Sequence, residues 1–418
     1  MAAPSEVIVD LDALDHNLAI IRGMLAPGTR LGCVVKADAY GLGAARIAAR
    51  MALQVDMLVV FGLDEAEAVH AAAPGVPQLV LMPVRSIEAG SPWHGMLRRG
   101  LLHGAAHDLG QVQALAARAA ELGVRVPLHV EVDTGLGRGG ARPPEATAMV
   151  QAILGSGSLE LAGVFTHFAS SGGSETATDA QRVIFEAWVR EQPLPPGCVV
   201  HAASTFAAIR HERFHHRMVR LGLAWTGLAF EGTRDGRFLP QVRQLRPVVR
   251  WMSRVMLAQR LPTGAMVGYG SRWIAREPSV VGLVPVGYAD GFPLLPMDPA
   301  RLRPAHGERR HVRVRVGQGE AARWEAVPVV GAVSMDQIAV DLTAVAGRLP
   351  GAGLDAEVEL ISSDPAAPNH AVRSAAMAGQ HAYALLCGIS SRVPRRYQSQ
   401  RQAMPASGVE PALERATP

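Results

Sequence analysis

The sequence predicts a (β/α)8 barrel of the TIM type followed by a mostly antiparallel β domain. Over about 200 residues, eight apolar runs of strand length alternate with helical patterns, which is the count of such a barrel. After about residue 235 this alternation stops, and β-rich runs separated by Gly and Pro clusters follow. A doubly wound sheet is the competing topology for the first part, because the fourth apolar run is weak.

The predicted elements follow one another in a regular order. A short strand at 7–9 leads to a helix that Asp10 can cap. The barrel strands are then expected at 31–35, 57–61, 78–82, 101–103, 126–132, 161–166, 198–201 and 219–223, and helical patterns at 44–53, 64–72, 109–122, 145–154 and 179–190. The second domain has β-rich runs at 248–257, 280–286, 312–316, 327–330, 338–342 and 356–361 and a late helix at 371–386.

Length and composition set the domain organisation. A chain of 418 residues exceeds the usual single domain. We expect a barrel at 10–235, a linker within 231–246, a β domain at 236–397 that the strand at 6–9 joins, and a flexible tail at 398–418. With 49% hydrophobic residues, the chain can form a large core.

Charge and cysteine content limit the classes of partner. The net charge of +4 is small and its basic residues are scattered, so no nucleic-acid partner is expected. No apolar run is long enough to span a bilayer, and the start lacks the order of a secretory signal. Three widely spaced cysteines argue against a disulfide framework and favour the cytoplasm. His211, His215 and His216 are expected to be solvated rather than to bind a metal.

Lys36 is the first candidate catalytic residue. It ends the apolar run of the first barrel strand, in the stretch Val34–Gly41. Burial at such a position lowers the pKa of an amine, as imine formation requires. The alternative is a lysine whose side chain simply reaches solvent at a strand end.

Other polar residues follow the later barrel strands, at the end where barrel enzymes gather their reactive groups. Taken singly, each of these residues has an ordinary structural explanation. Hydroxyls and amides in the last quarter of the barrel can donate to a phosphate, and a lysine beside a phosphate site suggests pyridoxal phosphate. The set comprises Tyr40, Arg138, Thr166, His167, His201, Ser204, Thr205, Arg220, Gly222 and Leu223.

Together, five stretches resemble the alanine racemases, which are pyridoxal-phosphate enzymes of fold type III. They occur in the order of that family, and the resemblance runs from about Val7 to Arg396. The stretches are Val35–Gly41, Val132–Arg138, Val219–Gly222, Gly287–Gly291 and Ser334–Gln337.

The resemblance implies a two-base racemase of L- and D-alanine that acts as a homodimer. Lys36 would hold the cofactor as an imine and move the α-proton on one face, and Tyr269 from the second subunit would serve the other face. The remaining residues would bind cofactor or substrate. Arg220 would face the pyridine nitrogen, with His167 near the ring and Arg138 at the ring oxygen. The phosphate would be held by Tyr40, Ser204, Thr205, Gly222 and Leu223. The substrate would be served by Arg138, Tyr288, Met335 and Asp336.

Three departures from the family pattern lead to further hypotheses. Glu131 replaces a lysine that is often carbamylated in relatives, and we expect it to pair with Arg138. Ser204 replaces an asparagine, which leaves its role open. Ser391 replaces a tyrosine in the closing motif, which would remove a phosphate partner and open the pocket.

The alternative functions follow from these departures. An open pocket favours a serine or broad-specificity racemase as the second candidate. A decarboxylase of the same fold type is disfavoured because the stretches around Tyr269, Tyr288 and Met335 are racemase-like. A non-catalytic cofactor-binding protein is the candidate from another class, and dependence of activity on Tyr269 separates it from an enzyme.

Overall fold

The computed structural model describes residues 4–228, 238–295, 297–298, 303–304, 310–349 and 353–399. The first strand, β1 (Ser5–Asp10), belongs to the second domain's sheet, and eight parallel strands then close into a barrel. The barrel strands are β2 (Arg30–Val34), β3 (Met57–Val60), β4 (Gln78–Val80), β5 (Leu102–Ala106), β6 (Val126–Glu131), β7 (Leu159–Phe165), β8 (Val199–Ser204) and β9 (Met218–Leu221).

Closure of this sheet confirms the predicted barrel. β2 pairs with β9 in parallel from Arg30↔Met218 to Cys33↔Leu221, which removes the open edges that a doubly wound sheet would have. Every residue of β3 and of β6 is buried, because helices cover one face and the barrel interior fills the other. This double burial explains why the barrel strands are continuous apolar runs in the sequence.

Helices follow most of these strands with local capping that the sequence specifies. Asp10 accepts hydrogen bonds from Asp12 N and Ala13 N and so begins the first helix, as predicted. The helices are α1 (Leu11–Met24), α2 (Lys36–Gly41), α3 (Ala44–Met51), α4 (Leu63–Ala72), α5 (Pro92–Arg98), α6 (Leu109–Leu122), α7 (Pro143–Leu154), α8 (Glu175–Glu191), α9 (Thr205–Arg210), α10 (Ala371–Met377) and α11 (Ala382–Cys387). No helix among the described residues is long and apolar enough to cross a membrane.

A second, mostly antiparallel sheet follows the barrel. Among the described residues nine strands join in the order β11-β14-β19-β18-β17-β20-β10-β1-β21. β1 pairs with β10 antiparallel and with β21 parallel, so the first and last of the described strands lie side by side. The added strands are β10 (Val249–Arg254), β11 (Leu257–Leu261), β14 (Ser279–Val284), β17 (His311–Val316), β18 (Arg323–Val330), β19 (Ile338–Asp341), β20 (Glu357–Ile361) and β21 (Arg395–Gln398), with two short pairs, β12 (Met266–Val267) with β13 (Trp273–Ile274) and β15 (Met297–Asp298) with β16 (Arg303–Pro304).

Two details differ from the sequence prediction. The single late helix at 371–386 is two helices, α10 and α11, because Gly379 takes a left-handed conformation (φ 66°) and ends the first one. His215 is buried rather than solvated, and its Nε2 lies 2.8 Å from Ala208 O. Residues 231–237 of the predicted linker at 231–246, and nearly all of the tail, from residue 400, lie outside the described residues.

Candidate active site

Lys36 lies at the carboxyl end of β2, where the chain leaves the barrel wall. Its side chain is half-buried. Burial lowers the pKa of Lys36, the nearby charge of Arg138 lowers it further, and the carboxylate of Glu65 opposes both effects. A larger share of neutral amine at physiological pH is what a nucleophile or a proton acceptor needs.

The residues after Lys36 form a left-handed turn. Ala37, Asp38, Ala39 and Tyr40 all have φ between 52° and 59°, a conformation that is costly for residues with a side chain. Carboxylates brace the turn. Glu65 accepts from Ala37 N and Phe61 N, both at 2.7 Å, and Asp38 Oδ1 accepts from Ala44 N at 2.7 Å. The turn places the Tyr40 ring in the core, where it is 5% exposed.

The hydroxyl of Tyr40 lies in a cluster of hydrogen-bond donors. Its ring stacks on Trp225, with centroids 5.6 Å apart, and is tilted against Tyr383 at 5.0 Å. A Cβ on Gly222 would come within 2.1 Å of Tyr40 Oη and 3.3 Å of Tyr383 Oη, so only glycine leaves this space free.

Backbone amides complete this cluster. Thr205 Oγ1 accepts from Gly222 N at 3.1 Å and from Ala224 N at 3.3 Å, and Tyr383 Oη accepts from Leu223 N at 3.0 Å. Tyr383 also hydrogen-bonds to Thr205. These hydroxyls and amides can all donate and none of them is a carboxylate, which is the chemistry of an anion site.

Arg220 is the buried cation of the barrel. Its NH1 donates to His201 Nδ1 at 2.7 Å, and its NH2 donates to Thr166 O at 2.9 Å and Ala202 O at 3.2 Å. Burial lowers the pKa of Arg220 to about 10, so the guanidinium remains charged at neutral pH. Burial, reinforced by Arg220, lowers the pKa of His167 to about 3 and keeps that imidazole neutral.

The loop after β6 carries Arg138. Asp133 Oδ1 accepts from the amides of Gly135, Leu136 and Gly137 at 2.9–3.1 Å. Burial alone would raise the pKa of Asp133, but these three amides outweigh it and hold the pKa below its usual value. Arg138 itself is exposed.

The structure gives Glu131 a different partner from the one that the sequence suggested. Its Oε2 lies 3.0 Å from His107 Nδ1, and the hydrogen bonds of the described residues include none between Glu131 and Arg138. His107 Nε2 lies 2.8 Å from Leu81 O. His107 Nδ1 also accepts from Gly140 N at 3.1 Å, so the ring lies among two acceptors and one backbone donor. Burial lowers the pKa of His107, but the hydrogen bond and charge of Glu131 raise it overall.

The second-domain candidates converge on an exposed surface. Tyr288 N donates to Ser334 O at 3.1 Å and Ala289 N to Met335 O at 3.0 Å, which brings Tyr288, Met335 and Asp336 together. Met335 is 54% exposed and Tyr269 is 76% exposed. Tyr269 lies in a turn whose Gly268 packs against Ala332, and its hydroxyl hydrogen-bonds to no described residue.

Two predicted positions contribute differently from the rest. Ser204 begins α9, but its hydroxyl makes no capping hydrogen bond. Ser391 is exposed. Tyr383, which the sequence analysis missed, supplies a hydroxyl to the donor cluster from α11. An isolated tyrosine in a helix gives no sequence signal of such a role.

Comparison with known proteins identifies the family. Models of the alanine racemase N-terminal and C-terminal domains match residues 9–229 and 248–397. The chain is 32% identical to an alanine racemase of Desulfovibrio desulfuricans over 394 residues, covering 93% of this chain and 96% of the relative. It is 34% identical to one of Treponema pallidum over 410 residues, covering 94% and 99%. The chain belongs to the alanine racemase family.

Solved alanine racemase structures share the whole architecture. The enzyme of Streptomyces coelicolor superposes with a TM-score of 0.78 at 30% identity and covers 94% of this chain and 98% of its own. That of Streptomyces lavendulae superposes at 0.79 with 27% identity, covering 96% and 98%. The Bartonella henselae alanine racemase, which holds covalently bound pyridoxal phosphate, has the same fold at 22% identity with a TM-score of 0.76, covering 95% of this chain and 100% of its own.

Proposed function

We propose that this protein is a pyridoxal-phosphate-dependent racemase that interconverts L- and D-alanine. The observation that carries the proposal is the convergence, at one end of the barrel, of a lysine with a lowered pKa, a buried arginine and a donor cluster. Membership of the alanine racemase family supports the same reaction. The two buried free cysteines, Cys33 and Cys198, are compatible with a reducing cytoplasm.

The residues present fit the cofactor. Tyr40, Thr205, Tyr383 and the amides of Gly222 and Leu223 would hold its phosphate, in the space that a Cβ on Gly222 would fill. Lys36 would attach it, and Arg220 would face its ring nitrogen, with His167 beside the ring. When bound, the cofactor supplies an electron sink that makes the α-proton of an amino acid acidic.

The chain's own residues then move and position the proton. Lys36 serves one face of the substrate and the partner subunit's Tyr269 serves the other, so that neither base has to cross the plane. Because a guanidinium does not readily release a proton, Arg220 would leave the ring nitrogen unprotonated and so limit how much charge the ring accepts. Arg138 and the backbone amide of Met335 from the second subunit would bind the substrate carboxylate, with Asp336 of that subunit completing the site. Tyr288 would stand at the entry.

The observations do not favour serine or broad specificity. That alternative rested on the loss of a tyrosine at position 391, which would remove a phosphate partner and widen the pocket. Ser391 is exposed, and Tyr383 already provides a hydroxyl to the donor cluster. A non-catalytic carrier would not need Tyr269.

The proposal is tested by proton NMR of the cofactor-loaded protein in heavy water, with L-alanine, L-serine and larger amino acids offered separately. We expect α-proton exchange and inversion of alanine, with much slower inversion of serine. Tyr269→Phe should abolish inversion equally in both directions, because each direction needs both bases, while α-proton exchange should persist mainly for the enantiomer whose face Lys36 serves. Absence of exchange for every amino acid would overturn the proposal.

A further inference from the structure

Three histidines form a continuous hydrogen-bonded chain through the barrel, here named the histidine file: His103 on β5, His129 on β6 and His201 on β8. His103 Nδ1 lies 3.0 Å from His129 Nε2, and His129 Nδ1 lies 2.8 Å from His201 Nε2. His201 Nδ1 then accepts from Arg220 NH1 at 2.7 Å. The file therefore joins the buried arginine of the candidate site to a side chain near the amino end of the barrel.

The barrel is shaped to hold these rings. A Cβ on Gly163 would come within 2.2 Å of His129 Nδ1, so glycine on β7 makes the room that the ring occupies. His201 stacks on Phe165, with centroids 4.9 Å apart and planes 12° apart. His129 and His201 have no exposed surface. Rings held this tightly cannot exchange their partners for water.

The hydrogen bonds of the file can run in one direction only. A guanidinium has donors and no acceptor, so His201 must accept at Nδ1 and carry its proton on Nε2. That proton points at His129 Nδ1, which must accept, and His129 therefore carries its proton on Nε2 as well. His103 must therefore accept at Nδ1 and carry its own proton on Nε2. A hydrogen bond to the backbone of Gly100 favours protonation of His103.

Burial keeps all three rings neutral. It lowers the pKa of His103 to about 4 and, with the nearby charge of Arg220 added, lowers the pKa values of His129 and His201 well below 6.5. A second proton on any ring would turn an acceptor nitrogen into a donor and set two donors against each other.

We propose that the histidine file is a positioning unit for Arg220. It presents a polarised acceptor to the guanidinium and thereby fixes both the orientation and the charge of Arg220. Each link strengthens the next one, because a ring that donates becomes a better acceptor at its other nitrogen. His103 and His129 act through His201 and touch neither the donor cluster nor Lys36. The inference depends on the proposed function only through the role of Arg220 at the cofactor ring.

Histidine ring ¹⁵N NMR of the full-length protein tests the arrangement without any reference to activity. Two- and three-bond ¹H–¹⁵N correlations distinguish the Nε2–H tautomer from the Nδ1–H tautomer and from imidazolium. We expect Nε2–H for His103, His129 and His201 at pH 7, assigned by single His→Gln substitutions. An Nδ1–H tautomer or an imidazolium at His129 or His201 would overturn the proposal. Because this measurement needs no substrate, it stands even if the proposed reaction fails.

Two variants of His129 test the consequence for Arg220. Gln can accept from His201 and donate to His103, whereas Leu can do neither. In the cofactor-loaded enzyme we expect His129→Leu to lower kcat for alanine by about tenfold or more with KM little changed. His129→Gln should stay within about threefold of wild type. The Nε2 proton of His201 should lose its acceptor and shift upfield in the Leu variant, and it should keep its hydrogen-bonded chemical shift in the Gln variant.

The two variants also separate positioning from packing. If His129→Leu keeps kcat although the Nε2 proton of His201 has lost its acceptor, the histidine file does not position Arg220. Equal losses of kcat in the Leu and Gln variants, although the chemical shift of the His201 Nε2 proton changes only in the Leu variant, would assign His129 to packing alone and overturn the proposal. Should the Leu variant not fold, the tautomers of the wild-type protein decide.

Discussion

Individual residues of the candidate site are specified by what surrounds them rather than by their type. Gly222 illustrates this, because the hydroxyls of Tyr40 and Tyr383 converge on the space where its side chain would be. Tyr40 cannot move away, since its ring is stacked on Trp225 and packed against Tyr383. An added methyl group would therefore compete both with the tyrosines and with any anion bound there.

Gly222→Ala should lower both the stability of the protein and its affinity for the cofactor. We expect a loss of about 1–3 kcal/mol in the free energy of unfolding, the usual cost of overpacking a well-filled site. Affinity for pyridoxal phosphate, measured by absorbance titration, should fall at least tenfold. Gly23→Ala is the matched control, because that glycine lies in α1 with no atom within 4 Å of its added Cβ. Unchanged affinity in Gly222→Ala would place the phosphate elsewhere.

The Glu131–His107 pair should make stability depend on pH. The folded-state pKa of His107 is raised above 6.5, so the pair contributes fully below that value and its contribution is lost as pH rises through the folded pKa. His107→Gln should cost about 3 kcal/mol at pH 6, as expected for breaking a largely buried pair, and less at pH 9. Urea unfolding at both pH values, at one protein concentration, measures this. Glu131→Gln should flatten the same dependence; parallel pH curves for wild type and both variants would contradict it.

At the scale of elements, the left-handed turn after β2 stands out because four consecutive non-glycine residues adopt it. Isolated chains avoid this conformation. Here Glu65 stabilises the turn by accepting from the amides that follow β2 and β3, at Ala37 and Phe61. Asp38 adds a hydrogen bond from the amide of Ala44, the first residue of α3. Tertiary contacts thus stabilise a local conformation that the residues themselves disfavour.

The same substitution should have opposite effects in this turn and in the helix that follows. Ala37→Gly relieves a left-handed conformation at an exposed site and should raise the free energy of unfolding by about 0.5–1 kcal/mol. Ala45→Gly, at an exposed position of α3, should lower it by about the same amount. Urea unfolding of the two variants gives the comparison. Destabilisation of similar size in both would mean that the turn is not strained at Ala37.

At the scale of the whole molecule, the candidate residues fall into two groups. Lys36, Arg220 and the donor cluster gather in the barrel, while Tyr269, Tyr288 and Met335 lie largely exposed on the second domain. Large exposed apolar side chains that share a surface are typical of an interface. A two-fold dimer would apply the second group to the barrel of the partner subunit, which makes each site a product of both subunits.

Mixing two inactive variants tests this shared site. Lys36→Ala and Tyr269→Phe should each be nearly inactive alone. After unfolding and refolding together in equal amounts, half of the dimers would be mixed, and each of these would contain one intact site, so activity should return to about a quarter of wild type. Variants refolded separately and then combined without exchange are the control. If activity does not recover although mixed dimers form, the two residues belong to the same subunit's site.

The sequence by itself determined much of this architecture. Continuous apolar runs specify strands that are buried on both faces. Asp10 specifies the start of α1, and the helical patterns between the runs specify the alternation of strands and helices in the barrel. Lys36 could be found because a lysine at the end of such a run is chemically unusual. Arg220 and Thr205 could be found because they are polar residues on or directly after predicted barrel strands. In each case the information is local, within a few residues of the chain.

Only the tertiary structure decided the partners of these residues. Tyr383 comes from α11, 160 residues after Leu223, whose backbone amide donates to its hydroxyl. Nothing in the sequence around Tyr383 indicates this role. Glu131 faces His107 rather than Arg138, and His103, His129 and His201 align only because β5, β6 and β8 curve around one axis. Side chains distant in sequence meet when the barrel closes. Which of them share a hydrogen bond is therefore a property of the packed fold rather than of any one segment.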